Sequence, residues 1–76
     1  MEAQVTGNRI KELRARHGLT QEQLANRVGV RRETIVHVEA NRYNLSLLLA
    51  YKISRVLGST IEDIFAFADD ESLQAR

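Results

Sequence analysis

The sequence predicts an all-α chain of five helices, and three observations point to it. Proline is absent, only 5% of the 76 residues are aromatic, and apolar residues recur at spacings of three and four. The first helix spans roughly Asn8 to His17, with Ile10, Leu13, Arg14 and His17 on one stripe. Gly18 ends it as a left-handed cap, and His17 lies beside the negative end of the helix dipole. Thr20-Gln21-Glu22-Gln23 has the form of a capping box, in which the threonine hydroxyl takes an orphan amide and the glutamine reaches back, so a second helix starts at Gln21. Leu24, Ala25 and Val28 form its buried face. Gly29 permits a tight turn into a third helix, running from about Arg31 to Glu39, with Ile35 and Val38 facing inward and Asn41 stopping it in the left-handed conformation. Ser46 caps a fourth helix, in which Leu47, Ala50, Ile53 and Leu57 keep helical spacing toward the core until Gly58. Thr60 opens a fifth, with Ile64 and Phe65 turned inward. The organised domain is read as 8–65, with short frayed tails at 1–7 and 66–76.

Size and composition narrow the function. A chain of 76 residues holds one domain with a modest core, and with no cysteine its stability must come from helix packing or self-association. No basic stretch followed by an apolar run opens the chain, and no apolar run approaches the 18 or so residues that span a bilayer, so a cytoplasmic protein without membrane contact is expected. The net charge of +1 conceals an asymmetry: residues 1–45 hold eight Lys/Arg against five Asp/Glu, whereas residues 46–76 hold three against five. One basic face of this kind suits a polyanion, although a pI near 8.2 is short of a strongly basic footprint. Catalysis is not expected, because there is no Gly-rich phosphate loop, no nucleophile elbow and too little volume for a deep pocket. His17 and His37 stand on different helices without cysteine or a paired acidic cluster, so no metal site is expected. No cofactor and no small-molecule ligand are predicted. Asp69-Asp70-Glu71 reads as solvated chain.

The informative segment is Gln21 to Arg42, two short helices joined across a glycine turn, with Ala25 small enough for close approach and Ile35 buried between them. Gly18-Leu19-Thr20-Gln21-Glu22-Gln23-Leu24-Ala25, Val28-Gly29-Val30, Thr34-Ile35, Val38-Glu39, Ala50-Tyr51-Lys52-Ile53 and Leu57-Gly58 together resemble the Cro/repressor-type helix-turn-helix family, also called XRE. The likeness runs from Asn8 to Phe65. It implies a compact five-helix Cro/repressor-like domain, docking of the third helix on double-stranded DNA, and frequently a two-fold dimer. Carried over residue by residue, Arg31, Arg32, Glu33, Val36 and His37 stand where the family reaches base edges, and Gln21, Asn41 and Arg42 stand where it holds phosphates. Arginine can fork onto guanine, glutamate can accept from cytosine, and valine methyls can touch a thymine methyl. Arg14 and Glu39 are paired with each other in the family, a structural ion pair.

Four departures from the family pattern bear on the reading. Arg31 stands where many relatives place a serine, removing the hydroxyl cap of the third helix. Asn41 replaces a frequent glycine, and Leu45 a frequent proline. Leu48 stands where a polar residue is usual, so Leu45 and Leu48, extended by Phe67, are read as a homodimer surface. The expected function is sequence-specific transcription regulation, with repression favoured because a bare DNA-binding domain acts by occluding a promoter. The alternative is a protein-interaction module, antitoxin-like or scaffolding, on the same fold, which the modest net charge keeps open.

Overall fold

The structure is a computed structural model that describes residues 5–42 and 44–67. Five helices follow one another, flanked by two short strands: β1 (Val5–Asn8), α1 (Ile10–Arg16), α2 (Gln21–Val28), α3 (Arg32–Glu39), α4 (Leu47–Leu57), α5 (Ile61–Ile64) and β2 (Phe65–Phe67). The helix ends are set by the caps that the sequence carries. Thr20 accepts from the Gln23 amide while the Gln23 side chain accepts from the Thr20 amide, closing a capping box. Ser46 and Thr60 likewise accept from Leu49 and Asp63. Gly29 and Gly58 end α2 and α4 at φ 77° and 66°, a region where any side chain would be strained.

Helix α3 ends in a Schellman motif. The Arg42 amide donates to His37 O at 2.8 Å and the Asn41 amide to Val38 O at 3.0 Å. This requires a left-handed residue at Asn41, whose φ is 60°; asparagine is among the few side chains that tolerate it.

One apolar cluster joins all five helices. Ile10 and Leu13 of α1, Leu24, Ala25 and Val28 of α2, Ile35 and Val38 of α3, Leu49, Ala50, Ile53 and Leu57 of α4, and Ile64 with Phe65 are buried together. Three local expectations are corrected here. Leu47 does not enter the core: it is 80% exposed, and Leu49 takes the buried place at 6%. With three leucines in a row, spacing alone allows either register. Leu49 lies four positions before Ile53 and takes the buried stripe, which leaves Leu47, about 200° around the axis from it at about 100° per residue, turned to solvent. Asn8 is not helical; α1 begins at Ile10, whose amide donates to Asn8 Oδ1 at 3.1 Å. His17 does more than face a dipole, since its Nε2 lies 2.8 Å from Leu57 O and must donate to that carbonyl, tying the end of α1 to the end of α4.

The fold also gains a two-stranded antiparallel sheet that helical periodicity did not announce. Val5 pairs with Phe67, Gly7 with Ala66 and Asn8 with Phe65, with an irregularity between Val5 and Gly7. Residues 5–7 and 66–67, read from sequence as tails, are therefore built into the domain; the rest of those tails, 1–4 and 68–76, lies outside the described residues.

Candidate nucleic-acid interface

Helix α3 is held from below by Ile35 and Val38, both buried, and this fixes which of its residues turn outward. Arg32, Glu33 and His37 are exposed and Val36 is half-buried on the opposite face, while Arg31 precedes the helix in an extended conformation (φ −78°, ψ 155°). No side chain caps α3, consistent with arginine rather than a hydroxyl residue at 31. Among the described residues, Arg31, Arg32 and Arg42 take part in no ion pair, so their charges face solvent. Arg32 and Gln21 border one shallow depression together with Arg14, Gly18 and Thr20. Gln21, on the first turn of α2, and Arg32, on the first turn of α3, thus flank the same surface.

Beneath this face lies a polar knot. Arg14 Nε donates to Glu39 Oε2 at 2.8 Å and its Nη2 to Oε1 at 3.3 Å, a forked pair whose side chains are only 15% and 10% exposed. The remaining Arg14 nitrogen donates to Leu19 O at 3.0 Å, and Gln21 Nε2 donates to Glu39 Oε1 at 3.2 Å. Glu39 therefore ties the C-terminal end of α3 to α1 and α2 at once. The side chain of Gln21 is thus engaged from within while the residue borders the depression.

A residue that pattern reading passed over completes the C-terminal side. Asn8 Nδ2 donates to Val38 O at 3.0 Å and to Asn41 Oδ1 at 2.9 Å, with Glu39 O at 3.4 Å. Its Oδ1 accepts from Ile10, so both faces of the amide are used and its orientation is set by donor chemistry. An asparagine just before an apolar run signals a helix start, and Asn8, though outside the helix with Arg9 at the N-cap, does accept from the first helical amide. Nothing in the sequence shows that it also reaches a turn more than 30 positions away.

Away from α3, the residues read as a dimer surface occupy a separate region. Leu48 is 61% exposed, Phe67 38%, and Leu45 is half-buried. Leu47 and Tyr51 join them as exposed apolar side chains on α4, with the Arg55 guanidinium 6.0 Å from the Tyr51 ring centre. Between α4 and the sheet runs an apolar groove lined by Val5, Leu45, Leu47, Ile61, Phe65 and Phe67. Among the described residues no cluster of His, Asp and Glu could hold a metal ion, and no helix is long and apolar enough to cross a membrane.

Two short helices crossing at a left-handed glycine, with the second presenting an outward basic face, define a helix-turn-helix unit. The profile of the Helix-turn-helix family matches residues 10–64. The chain is 62% identical over 63 residues to an uncharacterized HTH-type transcriptional regulator of Archaeoglobus fulgidus, covering 83% of this chain and 90% of that one. It is 48% identical over 58 residues to the uncharacterized HTH-type transcriptional regulator YgzD of Bacillus subtilis, covering 76% and 88%. Among solved structures, the restriction-modification controller protein C.AhdI of Aeromonas hydrophila superposes with a TM-score of 0.67 at 34% identity, covering 72% of this chain and 83% of that one. The chain belongs to the XRE-type helix-turn-helix family of transcription regulators, whose work is regulation rather than catalysis.

Proposed function

We propose that this protein regulates transcription as a repressor, reading the major groove of a specific DNA site with α3. The observation that carries the reading is the outward face of α3, where Arg31 and Arg32 stand exposed, in no ion pair among the described residues, with Arg32 bordering the same depression as Gln21. In this reading Arg32 forks onto a guanine, Glu33 accepts from a cytosine, and Val36 and His37 reach the bases one turn later, with Arg31 at the edge between base and phosphate. Gln21 anchors a phosphate on one side, and Asn41 with Arg42 anchor the other, fixing register without adding sequence preference. In this reading repression follows from occupancy of a promoter, and the protein acts in the cytoplasm.

A second copy of the chain sits on the apolar face formed by Leu45, Leu47, Leu48 and Phe67. Supporting this is the exposure of three large apolar side chains on one short helix, with Leu47 at 80%, Leu48 at 61% and Tyr51 at 52%, more than a small monomer ordinarily presents. A two-fold pair would set two α3 helices on successive major-groove turns, about 34 Å apart.

Titration of labelled genomic fragments against competitor DNA at stated salt tests the DNA reading. Enrichment of fragments sharing a pseudo-palindromic motif is expected; the absence of any enriched fragment would overturn it in favour of a protein partner. Sedimentation tests the pairing. A dimer that Leu48→Glu dissociates while helicity is kept is expected, and a wild type monomeric at high micromolar concentration would overturn it.

A further inference from the structure

We infer that Asn8 is a positioning residue for the DNA backbone, holding the Asn41–Arg42 turn in the shape that meets a phosphate. The inference rests on the reading that Asn41 and Arg42 contact phosphate. Among the described residues Asn41 is the one non-glycine side chain with positive φ, at 60°, so this turn stands in a backbone region that L-residues rarely occupy. The Schellman bonds require that conformation, and a hold from outside the turn steadies it further. The Schellman bonds fasten Asn41 and Arg42 to α3 itself, but the side chain of Asn41 is held from elsewhere, by Asn8 Nδ2 at 2.9 Å. The same nitrogen donates to Val38 O at 3.0 Å, a carbonyl that also accepts from the Asn41 amide, so Asn8 grips the turn at both its side chain and its backbone bond. Asn8 is itself fixed from behind, through its register with Phe65 in the sheet and its bond from the Ile10 amide. The turn that precedes Arg42 is therefore clamped by a residue of β1, and Arg42 leaves it in a set direction. A phosphate bound by a preset turn avoids the ordering cost that a loose one incurs on binding.

The test is Asn8→Ser in the full chain, which keeps a short acceptor for the Ile10 amide and loses the reach to Val38 and Asn41. Two readouts are expected to move. Amide exchange at Asn41 and Arg42 in the free protein should quicken about tenfold while the α2 amides are unaffected, as local rather than global opening requires. Binding to specific and nonspecific DNA should weaken alike, by about three- to tenfold, with the slope of log K against log salt shallower by about one unit, as loss of one phosphate contact requires. Thr60→Ala, which removes the cap of α5 and touches no part of the turn, supplies a destabilised control and should keep the wild-type slope. A wild-type slope and wild-type exchange at Asn41 and Arg42 in Asn8→Ser would overturn the inference. Should that variant fail to fold, Asn8→Asp preserves shape and the acceptor, and the same exchange measurement decides. Arg42→Ala separates the two levels. If it leaves the slope unchanged, the phosphate reading falls and the role of Asn8 with it; if it flattens the slope while Asn8→Ser does not, Asn8 alone is overturned.

Discussion

The two ends of α3 are built on opposite plans. At its C-terminal end, Glu39 is gripped by Arg14 and Gln21 and the following turn by Asn8, so polar groups there are spent on one another. At its N-terminal end, Arg31 makes no side-chain cap and Arg31, Arg32 and Glu33 are exposed. One helix thus holds charges of two kinds, those that fix the helix to its scaffold and those held out toward solvent. The difference teaches that charge by itself does not mark a binding residue. Arg14 and Arg32 are the same amino acid, and burial with a forked partner separates their roles.

The largest expected effect breaks the fastened end. Arg14→Ala leaves the Glu39 carboxylate largely buried without its main counter-charge, which should lower stability by about 3 kcal/mol, at the low end for a broken buried pair because a small part remains exposed. Urea unfolding measures it, and binding per folded molecule should keep its base preference; an unmoved unfolding midpoint would show the two ends to be alike after all. The free end should answer the other way. Arg32→Ala is expected to lower affinity for the preferred site by about 1 to 3 kcal/mol and relax discrimination at one base pair, with the unfolding midpoint near wild type. Selection of binding sites by both proteins shows whether a single position loses its preference.

How much of this was legible in the sequence depends on whether a feature is written locally. The ends of α2, α4 and α5 are, because Thr20, Ser46 and Thr60 cap their own helices and Gly29 and Gly58 stop two of them. The outward face of α3 is also legible, since Ile35 and Val38 must turn inward. The strands are not: β1 and β2 have four and three residues, too few for an alternation to stand out beside helical spacing. The place of Leu47 is not legible, because Leu47 three positions before Ala50 and Leu49 four before Ile53 both fit the apolar stripe, and only the packing of α4 on its neighbours selects Leu49. Asn8 was hidden for a different reason, since its partners lie in another part of the chain and amide chemistry leaves no periodic trace.

A smaller effect sharpens the comparison. Arg31→Ser restores a hydroxyl at the N-cap of α3 and should raise stability by about 0.5 to 1 kcal/mol while weakening DNA binding through loss of a cation. Opposite signs in unfolding and in binding measure the trade made at the free end. The smallest effect belongs to neither end. Glu12 accepts from Arg9 at 3.0 Å and from Arg16 at 2.9 Å, and the Arg9 hydrogen bond holds its carboxyl below the ordinary glutamate value. A depressed carboxyl stabilises the fold above its unfolded pKa, about 4.3, and that contribution is lost as pH falls through the lower folded value. Glu12→Gln should accordingly be slightly less stable than wild type above about pH 4.3, with the difference fading as pH falls below that value, and the effect is small because the pair is exposed to solvent.

The sheet brings together the most distant parts of the described chain: Thr6 Oγ1 donates to Ala66 O at 3.5 Å across 60 positions. Closing so long a loop carries a chain-entropy cost that the helical turns avoid, so the strands should zip after the helices have collapsed on one another. The ribbon should then be the last part to form and the first to open, at a free energy below that of global unfolding. Because Asn8 stands in β1, each such opening also releases the turn after α3, and the lifetime of the closed ribbon limits how long that turn stays preset between encounters.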